Sequence, residues 1–175
     1  MFIGITGRYA AGKDTVAKLL EEQGYIHISL SDLIREQMRF EGIELTRDNI
    51  IATGDRLRRE EGFAVLAKRA ISKIEDGKKY VFSSIRNPAE VEMLRTLPGF
   101  KFVNVIAPIK SRLARLQSRN REQDPFTLED LQTKEGLETT NDPSRNQLHK
   151  VEKMADVVIE NAKGIEELKE KVLRL

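Results

Sequence analysis

The sequence predicts an α/β fold of three layers: a five-stranded parallel sheet, helices on both of its faces, and a small helical lid. One observation behind this is the alternation of pattern. Five short apolar stretches, Phe2–Thr6, Tyr25–Ser29, Tyr80–Ile85, Phe102–Ile106 and Asp156–Glu160, have the Val/Ile/Phe content of buried strands, and helical patterns lie between them. The other is the junction after the first stretch, Gly7-Arg8-Tyr9-Ala10-Ala11-Gly12-Lys13-Asp14-Thr15. Its Gly-x-x-x-x-Gly-Lys spacing lets backbone N–H groups curl round a phosphate, with Lys13 as a point charge and the following helix adding its positive end. A triphosphate is the ligand that geometry favours, and a parallel sheet of this kind binds ligands at the carboxyl ends of its strands.

At 175 residues the chain reads as a single domain, 1–175, large enough to bury a core without staples. Cysteine is absent, which excludes disulfides and thiolate metal sites. The 30 Lys+Arg nearly balance the 28 Asp+Glu, so bulk charge gives no case for a nucleic-acid partner. No run of about 18 apolar residues occurs and the start passes directly into a strand, so a soluble, cytoplasmic protein with no membrane partner is expected. The oligomeric state is left open.

The elements follow in order. Val16, Ala17, Leu19 and Leu20 recur at helical spacing from Gly12 to Gln23, with Gly24 as the stop. After the second strand, Ser31 or Asp32 is placed as the cap of a helix to about Phe40. Thr46 caps the next, Arg47 to Gly62, whose Arg56 and Arg58 either face an acceptor pocket or pair with Glu60 and its neighbours. Phe63–Ile74 and Ala89–Leu97 are read as further helices, the latter stopped by Pro98-Gly99. Pro108 starts a helix on which Arg112, Arg115 and Arg119 share one side. The polar segment behind it contains Arg121, two Asp-Pro pairs and a Thr127-Leu128-Glu129-Asp130 capping pattern, and reads as a lid at about 117–150. The acceptor-binding helices span about 30–76. The last strand turns at Asn161-Ala162-Lys163-Gly164 into a closing helix, Ile165–Leu173. His27 and His149 have no partner at ligand spacing.

These motifs resemble P-loop small-molecule kinases over nearly the whole chain. Gly-Lys-x-Thr looks like the nucleoside monophosphate kinases of the adenylate kinase type, and Gly12-Lys13-Asp14-Thr15 resembles phage deoxynucleoside monophosphate kinases. His27-Ile28-Ser29-Leu30-Ser31-Asp32-Leu33-Ile34-Arg35 is similar to an adenylate kinase segment whose arginine holds the acceptor phosphate. The Ser84-Ile85-Arg86 step with Glu90-Val91-Glu92, and the Ala155-Asp156…Asn161 ending, also resemble a family of archaeal dephospho-CoA kinase-like proteins. What the resemblance implies is a P-loop kinase fold, ATP as phosphate donor, Mg²⁺ as cofactor, and a nucleotide or dephospho-CoA as partner. ATP then lies on Gly7, Arg8, Ala10, Ala11, Gly12, Lys13, Asp14 and Thr15, with Arg115, Asn161 and Ala162 on the base side. Asp32, Arg35, Arg58 and Arg86 take the acceptor, and Lys13, Asp32, Arg86, Arg119 and Arg121 carry the chemistry. The chain departs from the pattern at three places: Asp14 stands where a metal-binding hydroxyl is usual, Ser83 and Ser84 stand where an Asp closes the third strand, and Lys163-Gly164-Ile165 replaces a Gly-Ser step in the closing segment. Asp14 is therefore the expected metal residue. The favoured activity is ATP-dependent transfer to a nucleoside or deoxynucleoside monophosphate. The alternatives are transfer to a ribose hydroxyl as in dephospho-CoA kinases, or a regulatory protein that binds ATP without catalysis.

Overall fold

The computed structural model describes residues 1–119 and 127–175, without the side chain of Arg119. Five parallel strands, β1 (Phe2–Thr6), β2 (Tyr25–Ser29), β3 (Lys79–Ser83), β4 (Phe100–Ile106) and β5 (Val157–Glu160), form one sheet in the order β2-β3-β1-β4-β5. The first strand is thus central, and the loop that leaves it emerges in the middle of the carboxyl edge.

Each face of the sheet has its own core. On one, α1 (Lys13–Glu21) and α9 (Ile165–Val172) bury Val16, Leu20, Leu168 and Val172 against Ile3, Ile5, Val103 and Val105. On the other, α2 (Leu30–Glu41), α3 (Arg47–Glu61), α4 (Val65–Ile71) and α5 (Pro88–Leu94) cover Tyr80, Phe82 and Phe102. Gly4 belongs to this second face: a Cβ there would fall 2.5 Å from the ring of Phe100 and 2.9 Å from that of Phe102, so the missing side chain makes room for two aromatic ones. Strand alternation sends successive residues to opposite cores, and buried on both sides the strands read as continuous apolar runs.

Local chemistry explains most of the boundaries. Gly24 ends α1 at φ 86°, and Thr46 caps α3 by accepting from the Asn49 N–H. Asn87 and Glu90 form a capping box on α5, with Pro88 in its first turn, and Thr127 with Asp130 does the same for α7 (Leu128–Leu137). One expectation is corrected. The cap of α2 is Ser29, not Ser31 or Asp32, because the helix begins at Leu30 directly from β2, and the Ser29 hydroxyl bonds other serines rather than the helix backbone. Among non-glycine described residues only Ala10 and Ser84 take a left-handed conformation, at φ 53° and 60°.

The third strand stops at Ser83, and α6 (Ile109–Arg119) follows β4. Between α7 and α8 (Leu148–Lys153), residues 138–147 dock on the end of β3. Asn87 Nδ2 donates to Pro143 O at 2.7 Å and Arg145 O at 3.1 Å, and Gln147 N donates to Arg86 O at 2.8 Å. This part of the expected lid is tied to the end of β3 through backbone carbonyls and amides. Arg121 and the Asp124-Pro125 pair lie outside the described residues, as does the side chain of Arg119. No helix among the described residues is long and apolar enough to cross a membrane.

Candidate functional site

A cleft of about 730 Å³ opens at the carboxyl edge of the sheet, where a doubly covered parallel sheet places its ligands. One half is built on the phosphate loop, with Tyr9, Ala10, Gly12, Lys13, Asp14 and Thr15 lining it. The loop is braced from outside its own sequence. Arg115 donates from Nη1 to Ala10 O at 3.0 Å and from Nη2 to Asn161 O at 2.9 Å, while Asn161 Nδ2 donates to Ala11 O at 2.9 Å. A Cβ on Gly12 would fall 2.2 Å from Asn161 Nδ2, and Gly12 has φ 109°. Gly12→Ala is therefore expected to destabilise the protein by about 1–3 kcal/mol through backbone strain and loss of this brace. Chemical denaturation reads that out; a wild-type midpoint would show that Asn161 gives way at no cost.

Lys13 is not the exposed side chain its loop position predicts. It lies on the first turn of α1, half-buried, and its Nζ donates to Arg8 O at 2.7 Å. Burial pushes its pKa down to about 7, with Arg86 and Arg112 lowering it further, while Glu138 and Asp14 oppose the shift. Arg86 reaches the same point from the end of β3, its Nη1 donating to Gly7 O at 3.2 Å. The Arg47 guanidinium lies 4.3 Å from the centre of the Tyr9 ring and 3.4 Å from Glu138. Glu138, 3% exposed, in turn lies 3.3 Å from Arg86 Nη1. Tyr9 fills a variable position of the phosphate-loop motif, and Arg47 and Glu138 belong to no motif that would mark them.

The other half lies over the ends of β2 and β3. Ser29, Ser31 and Ser84 bring their hydroxyls within 2.9–3.3 Å of one another, and Arg35 Nη1 donates to Ser31 Oγ at 2.9 Å and to Asp32 Oδ1 at 2.7 Å. His27 Nε2 and Ser83 Oγ are 2.7 Å apart. The strand end that lacks an acid thus carries a hydroxyl cluster, which takes part in hydrogen bonding without fixed charge. Asp32 is largely exposed and Arg35 half so, which leaves both accessible from the cleft.

Several expected site residues sit elsewhere, and of the loop Gly7, Arg8 and Ala11 do not line the cleft. The Arg8 side chain points away from the cleft, to Glu152 at 3.1 Å and Glu135 at 3.3 Å, and lines a smaller crevice behind the loop together with the buried Ala11. Asn161 is buried as a brace and Ala162 is exposed; neither lines the cleft. Arg58 borders the cleft but is only 2% exposed, its guanidinium committed to Glu90 at 2.8 and 3.0 Å and to Asn146 at 3.3 Å. The helical partner expected for its neighbour is present, since Arg56 pairs with Glu60 as well as Glu41. Arg112 is also buried, donating to Tyr9 O at 3.1 Å and pairing with Glu135. It supports the loop from behind.

A family model described as an AAA domain matches residues 3–127, more than half of the chain. A UPF0200 protein of Thermococcus onnurineus is 31% identical over 187 residues, an alignment covering 99% of this chain and 98% of that protein. Another, from Methanothermobacter thermautotrophicus, is 36% identical over 125 residues, covering 70% of this chain and 63% of its own. Among solved structures, shikimate kinase from Bacteroides thetaiotaomicron superposes with a TM-score of 0.61 at 19% identity, covering 99% of this chain and 95% of that one, which supports the α/β fold. The chain belongs to the AAA-domain family and to the UPF0200 proteins.

Proposed function

We propose that this chain is an ATP-dependent phosphotransferase acting on a nucleoside or deoxynucleoside monophosphate. The observation that carries the reading is a single cleft in which a braced phosphate loop, with Lys13 and Arg86 converging on it, faces a second polar half containing Asp32 and Arg35. Transfer of a phosphoryl group asks mainly for alignment and neutralised charge, and the cleft supplies fixed cations around a loop shaped for phosphates. The donor half takes ATP, with Thr15 and Asp14 beside the phosphates. Among the described residues no three acidic or imidazole side chains cluster to hold a metal ion by themselves, so magnesium would be held by a single cleft carboxylate, Asp14, Asp32 or Glu138, together with phosphate oxygens of the nucleotide. When bound, it neutralises phosphate charge. The expected lid arginines, Arg119 and Arg121, retain that role in the proposal.

In the acceptor half, Arg35 is the cation available to a phosphate, because Arg58 is committed to Glu90. Arg35→Ala is expected to raise the acceptor KM by roughly 10- to 150-fold, the worth of one charge-assisted hydrogen bond. A coupled ADP-release assay with a panel of monophosphates and dephospho-CoA tests the reading. ADP release that depends on a monophosphate supports it, and none with any acceptor would favour a regulatory ATP-binding protein. Transfer to a hydroxyl is the second reading, favoured by the accessible Asp32 and by the shikimate kinase likeness in fold. In that case Asp32→Asn should lower kcat by about 10²- to 10⁴-fold with little change in KM.

A further inference from the structure

The third strand ends in Ser83 and Ser84, so the cleft has no acid where β3 meets the phosphate loop. Three carboxylates nevertheless line the cleft, and they differ in setting. Asp14 is exposed on the first turn of α1, and Asp32 is exposed on the acceptor side in a pair with Arg35. Glu138 is buried. Its backbone is fixed: Glu138 N donates to Glu135 O at 3.1 Å, Leu148 N donates to Glu138 O at 2.9 Å, and the next residue, Thr139, bridges to Gln147. Among the described residues the carboxylate's charged partners are Arg47 and Arg86, which border the phosphate half. Arg47 Nη2 donates to Oε1 at 3.4 Å, and Arg86 Nη1 is 3.3 Å from Oε2, an ion pair without hydrogen-bond alignment. Oε2 therefore accepts no hydrogen bond although it is fully enclosed. Native proteins rarely leave a buried carboxylate oxygen so.

We propose that Glu138 supplies the carboxylate the strand end lacks, and that it makes the cleft select nucleotide carrying magnesium over free nucleotide. The inference rests on the reading of this cleft as an ATP site. A fixed negative charge among the phosphate-binding cations repels the phosphates of metal-free ATP. The same charge favours a nucleotide whose phosphates arrive with a divalent cation, for which a carboxylate oxygen with spare lone pairs is a suitable ligand, directly or through water. Asp14 adds charge of the same sign but from an exposed position, where solvent screens it.

The test is calorimetric binding of ATP to the full chain, once with excess Mg²⁺ and once with EDTA. Wild type is expected to bind the magnesium complex at least about tenfold more tightly than free ATP. Glu138→Gln should bring the two affinities within about threefold, chiefly by tightening free ATP, an outcome that loss of a merely structural contact would not produce. Glu138→Asp, which keeps the charge, should retain most of the preference and provides a reading if the glutamine variant does not fold. As a readout without turnover, Mn²⁺ binding to the ADP complex, followed by electron paramagnetic resonance, should weaken about tenfold in Glu138→Gln. Glu138→Gln with the wild-type preference and wild-type Mn²⁺ affinity would overturn this inference alone. Failure of wild type to bind ATP in either condition would overturn the nucleotide-site reading and this inference with it.

Discussion

If the proposed phosphotransferase reading holds, Lys13→Ala is expected to lower phosphoryl transfer by about 10²- to 10³-fold, the usual loss when one preorganised group at a developing charge is removed. Its effect on stability should have the opposite sign. A lysine whose pKa is about 7 in the folded protein and near 10.5 when unfolded binds fewer protons folded than unfolded between those values. Burying the ammonium thus opposes folding, fully below about pH 7, and the opposition fades as pH rises towards 10.5. The alanine variant should melt higher than wild type at pH 7, and the difference should shrink as the pH approaches 10. A variant that loses activity and also melts lower at neutral pH would mean that Lys13 holds the loop together. The same titration predicts that ATP binding takes up protons above pH 7, measurable as a dependence of the calorimetric heat on buffer ionisation enthalpy.

The largest stability loss is expected from Arg58→Ala. Arg58 and Glu90 are 2% and 0% exposed, and Arg58 donates two hydrogen bonds to Glu90 Oε1. The other oxygen of Glu90 accepts from the N–H groups of Arg86 and Asn87, which links the start of α5 to the strand end that carries Arg86. Removing the guanidinium leaves a buried carboxylate without its counter-ion, at a cost of about 3–5 kcal/mol. The double variant Arg58→Met with Glu90→Gln removes both charges and keeps much of the volume, so in urea titrations it should unfold later than Arg58→Ala. If the single variant loses less than about 1 kcal/mol, water has entered to solvate Glu90 and the pair is not a keystone of the cleft wall.

Much of this architecture is legible in the sequence, and for physical reasons. A phosphate loop is written in consecutive residues, and strands buried on both faces announce themselves as short apolar runs, so the loop and the five strands come out close to where they lie. Caps are local too, as at Thr46 and Thr127. What local pattern cannot give is depth. Helical spacing places Arg112 and Arg115 on one side of α6, but only Glu135, 23 residues further on, determines that Arg112 is sealed beneath the loop. Arg58 looked like a cleft residue because its partner Glu90 lies 32 positions away. Glu138, Arg47 and Arg86 gain their meaning from one another, three segments that meet only once the sheet has formed.

The brace of the phosphate loop by Asn161 has a consequence for how the protein is made. The loop is synthesised well before β5, and the Asn161 side chain that bonds Ala11 stands 150 positions later, just after that strand. A nascent chain can carry the whole motif and still lack the shape that grips a phosphate, because early nucleotide contact would have to order the loop unaided. Nucleotide should therefore recognise finished molecules and stabilise them after synthesis, rather than template the folding of incomplete ones. By the same logic, a proteolytic cut before β5 would silence the site while leaving every residue of the motif untouched.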